Sequence, residues 1–313
     1  MKKLLGLVLV LALTMGMFAT VSLAQAEGPL VGCVLISGTI PHCQLFRKGF
    51  EDAMLASGGK GVVLDADYDP AALMNAIADF IAMGCDGIVV EACDNQAPLQ
   101  GIREAAASGI VVSAADMLLD FTQEEGTVIS QTVSDNYYGG YMCGQDFVKR
   151  ANGEKKACCI MEFQTNTAAV QRVQGWLDAI SAHDNITVLN VNQPNPENLE
   201  QKMAVCDTWI QQYDQIDAIF AYHDPAAMAC IASLKAAGRT GTLIYGVDGN
   251  EDAIQAIQTG EFTMTAQQNP YELARQSTQD VLDVLAGKKI EHDWLTYVPV
   301  TIIDASNAAE FIK

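Results

Sequence analysis

The sequence predicts an α/β protein of two lobes, each a parallel sheet covered by helices on both faces, with the chain crossing back between the lobes. Three observations carry this. From residue 31 onward, short apolar runs alternate with amphipathic helical stretches. The strand runs are apolar throughout, as strands buried on both faces must be. Two groups of about four strand–helix units flank residues 115–134, a stretch with little helical signal.

In chain order, the first group reads as strand Val31–Ile36, helix Gln44–Ala56, strand Gly61–Ala66, helix Ala71–Met83, strand Gly87–Glu91, helix Ala97–Ser108 and strand Ile110–Ala114. The second reads as helix Asn136–Lys149, then strands Lys156–Glu162, Thr187–Val191, Ala218–Ala221 and Leu243–Val247. These strands precede helices Ala168–Ala182, Glu197–Gln211, Pro225–Ala237 and Glu251–Thr259, in that order. Asp69-Pro70, Asp224-Pro225 and Asn269-Pro270 each place a capping side chain before a proline in the first helical turn, and Asp135 and Asn250 cap in the same way. Gly84, Gly109 and Gly238 follow helix ends, where a left-handed residue is wanted. A further strand–helix unit, Phe262–Ala286, and a tail ending in Val298–Ile303 have no place in an even division of the chain. Crossing back accounts for both. One lobe then takes residues 27–133 and 268–297, the other 134–267 and 298–313. Several crossings make a stiff hinge.

The chain begins as a secretory signal peptide does. Lys2 and Lys3 precede an uncharged apolar stretch, Leu4 to Val21, and Ala24-Gln25-Ala26 supplies the small residues of a cleavage site, so residues 1–26 are expected to be removed. Leu30-Val31-Gly32-Cys33 also fits a lipoprotein box, but Glu27, Gly28 and Pro29 separate it from the apolar region. Lipidation at Cys33 would also truncate the first strand. The protein is therefore expected in the periplasm or at the cell exterior. It carries 38 acidic side chains against 18 basic ones, a net charge of −20 before the leader takes two more lysines away. Such a surface repels nucleic acid and anionic membranes. Of the nine cysteines, Cys33, Cys85, Cys158 and Cys159 lie in or beside strand runs and Cys230 in an alanine-rich helix, so they read as small buried hydrophobes. A single bridge involving Cys43 or Cys93 stays open.

Catalytic motifs are absent: there is no GxSxG, P-loop, HExxH or GxGxxG after the first strand. The acidic stretches beginning at Asp65 and Asp248 lack the glycine and glutamate of a calcium loop, so no metal or other cofactor is expected. What remains is a set of polar residues at the carboxyl ends of strands, the edge where open parallel sheets bind ligands. Ser37 and His42 follow the first strand, Glu91 ends the third, and Asp116 follows the fourth. The second lobe offers Gln164 and Asn166, then His223 and Asp224, then Asp248, with Gln267 near a crossing.

The segments Val34–Gly49, Gly84–Val90, Ser134-Asp135-Asn136-Tyr137-Tyr138-Gly139-Gly140, Ile219–Ala229 and Gly246-Val247-Asp248-Gly249 resemble, in order and spacing, the ribose/galactose-type periplasmic binding proteins. The resemblance covers essentially the whole mature chain. It implies two Rossmann-like lobes with parallel sheets, three hinge crossings, a closed ligand-bound state and delivery to an ABC-type permease. Related proteins present their ligand to a chemoreceptor or sensor kinase instead. A monomeric, non-enzymatic binder of a sugar or polyol is implied.

Carried over residue by residue, Asp116, Asp248 and Gln267 match positions that hydrogen-bond sugar hydroxyls. Asp248 also has an Asx-turn reading, and Gln267 a purely hinge one. Elsewhere the chain departs from the ribose pattern. Glu91 and His223 replace asparagines, His42 and Cys43 stand where aromatic rings stack, Met117 and Val170 replace arginines, and Asn166 stands where a galactose binder has aspartate. His42 either stacks on or donates to a ligand, or is an exposed loop residue; His223 binds ligand or, with Asp224, forms a cap pair. Trp176 and Trp209 read as core. With those arginines gone, Glu91, Asp116 and Asp248 converge with only histidines as counter-charges. The expected ligand is therefore a modified sugar, a polyol or an amine-bearing sugar, and not plain ribose.

Overall fold

The computed structural model describes residues 28–92, 94–195 and 198–312; the proposed leader and Cys93 lie outside them. The first half runs β1 (Leu30–Leu35), α1 (Pro41–Ser57), β2 (Lys60–Asp65), α2 (Pro70–Met83), β3 (Gly87–Glu91), α3 (Leu99–Ala107), β4 (Val111–Asp116) and β5 (Gln131–Ser134). The second runs α4 (Asn136–Ala151), β6 (Lys156–Met161), α5 (Thr167–Ser181), β7 (Ile186–Asn192), α6 (Leu199–Gln212), β8 (Ala218–Ala221), α7 (Asp224–Ala236), β9 (Leu243–Asp248), α8 (Glu251–Gln258) and β10 (Met264–Gln267). The chain ends with α9 (Pro270–Leu285), β11 (Leu295–Val298) and β12 (Thr301–Asp304).

Two six-stranded sheets result, ordered β11-β5-β4-β3-β1-β2 and β12-β10-β9-β8-β6-β7. Among the described strand pairs, only β10–β12 is antiparallel. The two orders are the same order, so β4 and β9, β3 and β8, and β1 and β6 are equivalent strands of two similar lobes. The chain passes between sheets at three places: after β5, after β10, and between β11 and β12. α9 returns to pack on α1 and on β3, β4 and β5 of the first sheet.

Each sheet is sandwiched between two apolar clusters. In the first lobe, Val34, Ile77, Phe80 and Ile88 fill one face and Leu35, Phe46, Phe50 and Val281 the other. In the second, Trp209 and Ile219 lie on one face and Trp176, Phe220 and Tyr245 on the other. Both tryptophans are fully buried, as their apolar spacing predicts. The eight described cysteines are buried and free, and Cys33 lies inside β1. No helix among the described residues is long and apolar enough to cross a membrane.

The punctuation works largely as its chemistry dictates. Asp69 accepts from Ala71 N, Asn269 from Glu272 N and Asp135 from Tyr138 N, each opening a helix. At Asp224-Pro225 the cap shifts by one residue: His223 takes it, while Asp224 is buried and receives Thr265 Oγ1 at 2.7 Å and Asn250 N at 2.9 Å. Asn250 stands at the cap position of α8 without a side-chain bond.

One difference from the sequence expectation concerns a strand. β5 lies within the stretch 115–134, and its polar Gln131, Thr132 and Ser134 are fully buried, so no apolar run announces it. The tail divides, β11 joining the first sheet and β12 the second.

In each lobe one pair of helices approaches closely through glycine. A Cβ on Gly49 of α1 would lie 2.1 Å from the Tyr271 carbonyl oxygen of α9, and one on Gly140 of α4 would lie 1.9 Å from that of Arg172 in α5. These contacts set the angle of α1 and α5, the helices that begin at the sheet edges facing the other lobe.

Candidate ligand-binding site

The first lobe brings together three of the side chains expected at its sheet edge. Glu91, the last residue of β3, is fully buried, and its carboxylate accepts from Ile36 N at 3.0 Å and from the Cys43 thiol at 3.2 Å. Cys43 is thereby accounted for as a free thiol. His42, in the first turn of α1, places Nε2 3.2 Å from Asp116 Oδ1 and 3.7 Å from Glu91 Oε1. Their donor atoms lie within 4.8 Å of one another, close enough to hold a metal ion. An imidazolium at His42 supplies the same compensating charge without one.

Asp116 and Asp248 end the equivalent strands β4 and β9, and both adopt positive φ, 71° and 135°. Non-glycine residues rarely adopt such backbone, and where they do the strain is commonly tied to function. Asp248 Oδ1 accepts from Gln268 Nε2 at 2.8 Å and from Arg172 Nη1 at 3.3 Å.

Arg172 corrects the expectation that histidines alone balance the carboxylates. Its side chain is nearly buried and also donates to Asn136 Oδ1 at 2.8 Å and to the Tyr222 carbonyl at 2.9 Å. Its charge reaches the cleft from two residues beyond the expected place. Val170, where the resemblance implied an arginine, is exposed on the same helix. A buried arginine on an otherwise apolar helix face was the available signal. The Gln267 amide donates to Gly249 O at 3.4 Å, and the neighbouring Gln268 reaches Asp248. Adjacent residues at the end of β10 point in opposite directions, so the two glutamines take different partners.

The remaining expected residues have local partners. Ser37 is buried with its hydroxyl 3.0 Å from Thr39 Oγ1. Asn166 caps α5 by accepting from Ala169 N at 2.9 Å, and His223 caps α7 by accepting from Ala226 N at 3.3 Å. The His223 ring also stacks on Tyr222, which stacks on Phe163. Between the lobes, Thr167 Oγ1 donates to Leu118 O at 3.1 Å.

Burial alone would push the His42 imidazolium towards neutrality, but Asp116, through charge and a hydrogen bond, and then Glu91 and Asp248 lift it to about 9. Burial pushes Glu91 up to about 7 against the pull of His42. For Asp116 burial raises the carboxyl, yet His42 and Arg172 outweigh it and hold it below the usual range; for Asp248 burial wins and the carboxyl rises. His223 is driven well down by burial, then by Lys202 and Arg172, and is neutral. His42 and Arg172 thus face the two aspartates, while burial pushes the Glu91 carboxyl towards its neutral form.

A group whose folded pKa exceeds its unfolded value stabilises the fold below the unfolded value and loses that contribution as pH rises through the folded one. For His42 the window is 6.5 to about 9. Stability from urea unfolding should therefore fall across it, and His42→Gln should flatten that limb. An unchanged slope in the variant would assign the limb to another group. Glu91 should give a separate decline between 4.5 and about 7, removed by Glu91→Gln.

Residues 31–289 match the family model of the periplasmic binding protein domain. The chain belongs to that family. As a periplasmic binding protein it is 26% identical over 291 residues to the ribose import binding protein RbsB of Escherichia coli (strain K12), covering 93% of this chain and 95% of that one. It is 28% identical to the D-apiose import binding protein of Paraburkholderia graminis over 80% of each chain. In fold it matches an ABC transporter solute binding protein from Bacillus halodurans C-125 solved with bound myo-inositol, at a TM-score of 0.81 and 19% identity, covering 91% of this chain and 98% of that one. The two-lobed α/β periplasmic binding protein fold expected from the sequence is thereby established.

Proposed function

We propose that this periplasmic binding protein captures a neutral sugar or sugar-like polyol between its lobes and delivers it to an ABC-type permease. The facing of two carboxylate–cation pairs, Asp116 with His42 and Asp248 with Arg172, from the equivalent edges of the two sheets carries this reading. An ionised carboxylate accepts hydroxyl hydrogens in charge-assisted bonds that survive burial. Because each aspartate has its own cation and burial pushes the third carboxyl, Glu91, towards its neutral form, the cleft gains little from an amine, and a neutral ligand suits it. The curated relatives are named for ribose and apiose import, which accords with a small polyhydroxylated ligand.

Function runs by population shift: ligand bridges the two lobes and stabilises the closed form, which docks on the permease. Residues 27–133 with 268–297 move against 134–267 with 298–313, about the three connections. Export follows cleavage after Ala26, and bound ligand leaves chemically unchanged, because the protein binds and does not catalyse.

Titration calorimetry of the mature chain against neutral sugars and polyols tests the reading. A compound bound with about −8 to −10 kcal/mol, sub-micromolar, and recovered intact is the expected result. Binding confined to amino acids, peptides or cations would overturn it. Asp116→Asn should weaken the best ligand about a hundredfold, since it removes an ionised acceptor and leaves His42 only the more distant Glu91 and Asp248 as counter-charges.

A further inference from the structure

We infer that the first lobe's edge of the cleft is a metal site, in which His42, Glu91 and Asp116 hold one first-row divalent ion such as Zn2+ or Mn2+. The inference goes beyond the sugar reading and stands or falls separately from it.

Spacing is the first observation. Protein ligands about 2.0–2.2 Å from a tetrahedral ion lie about 3.3–3.6 Å from one another. His42 Nε2 is 3.2 Å from Asp116 Oδ1 and 3.7 Å from Glu91 Oε1, on either side of that range. One donor atom from each of the three residues lies within 4.8 Å of the others. The three come from separate elements, the first turn of α1 and the ends of β3 and β4, so no single loop announces them. The acidic stretches beginning at Asp65 and Asp248 contribute no ligand.

Direction is the second. In a hydrogen-bonded ion pair the imidazole N–H points at a carboxylate oxygen. His42 Nε2 is buried and, although Asp116 Oδ1 lies at 3.2 Å, it makes no well-aligned hydrogen bond there. A shared ion accounts for a ring nitrogen that is close to two carboxylates and aligned with neither. In a tetrahedral site each neighbouring ligand lies about 35° off the nitrogen–metal axis.

The carboxylates are also fixed as ligands are. Glu91 Oε2 accepts from Ile36 N at 3.0 Å and Oε1 from the Cys43 thiol at 3.2 Å, outer bonds of the kind that orient a metal ligand. Asp116 is set by its backbone, at a φ of 71°. A divalent ion balances both carboxylates with the imidazole neutral. Across the cleft Asp248 has Arg172 and needs no ion. A nitrogen among only three protein ligands selects a first-row ion over Ca2+ or Mg2+, which take about six or more oxygens. Three ligands leave at least one coordination position for water or a ligand oxygen.

Equilibrium dialysis of the wild-type mature chain, stripped with EDTA, against Zn2+ and Mn2+ reads the uptake. One ion per chain is expected, not displaced by Ca2+ or Mg2+, and bound about tenfold or more weakly in His42→Gln and in Asp116→Asn. Co2+ supplies a measurement on the wild type alone, for use where a variant does not fold: visible absorption bands of a four-coordinate ion are expected. No uptake, cobalt bands of the free aqueous ion only, or uptake that both variants leave intact overturns the metal site, the last because it assigns the cation to the acidic surface. Sugar binding in the same samples is scored apart. Failure of every sugar and polyol to bind, with the ion and without it, falls on the polyol reading and not on the metal site.

Discussion

Replacing Arg172 with methionine should abolish measurable ligand binding and lower unfolding stability by about 3–5 kcal/mol. The variant keeps the length of the side chain and removes its charge. Asp248 then loses its direct cation while still enclosed with Asp224, and the Tyr222 carbonyl and Asn136 side chain lose their donor. Breaking a buried pair by removing one partner costs far more than an exposed pair is worth, because the remaining charge stays desolvated. Part of the loss should return at low pH, where Asp248, already raised by burial, takes up a proton. Urea unfolding at pH 7 and pH 5 reads the difference directly. A variant as stable as the wild type at pH 7 would show that Arg172 neither holds Asp248 nor organises the second lobe's edge.

Gly140→Ala should destabilise the protein by about 3 kcal/mol, against the usual effect of that exchange. Inside a helix, alanine is favoured over glycine by about 1 kcal/mol. Here the added methyl group would sit 1.9 Å from the Arg172 carbonyl oxygen, and backbone, unlike a flexible side chain, has little room to yield. α4 and α5 must separate, and Arg172 moves with α5. The variant should therefore lose ligand affinity as well as stability. Gly49→Ala gives the matched measurement in the first lobe, where a Cβ would lie 2.1 Å from the Tyr271 carbonyl and α1 carries His42. If Gly140→Ala melts at or above the wild-type temperature, the two helices are not held at this distance.

Most of the fold was legible because its strands are buried on both faces and their apolar runs stand out; β3 and β8 have the bounds that their hydrophobic runs indicate. β5 was not, because it is four residues long and three of its residues, Gln131, Thr132 and Ser134, are polar yet buried, with only the Gln131 side chain held, by the backbone of Leu119. Among the site residues, Glu91, Asp116 and Asp248 could be read from their places at strand ends. His42 could be read only as a loop residue with several roles, since its proximity to both carboxylates depends on how α1 enters the first turn. Arg172 was hidden by periodicity: a buried arginine six residues into a helix looks like an ordinary surface charge until the helix is docked. Gln268, whose amide reaches Asp248, follows directly on Gln267 at the end of β10, and nothing in its sequence position sets it apart.

The return of the chain to its first sheet also governs how the protein is made. β11 pairs with β5, and α9 covers β3, β4 and β5, so residues 270–298 complete a lobe that begins at residue 30. During synthesis that sheet lacks an edge strand and one helical cover until nearly the whole polypeptide has emerged. Compact structure then arrives late, for both lobes within the last forty or so residues.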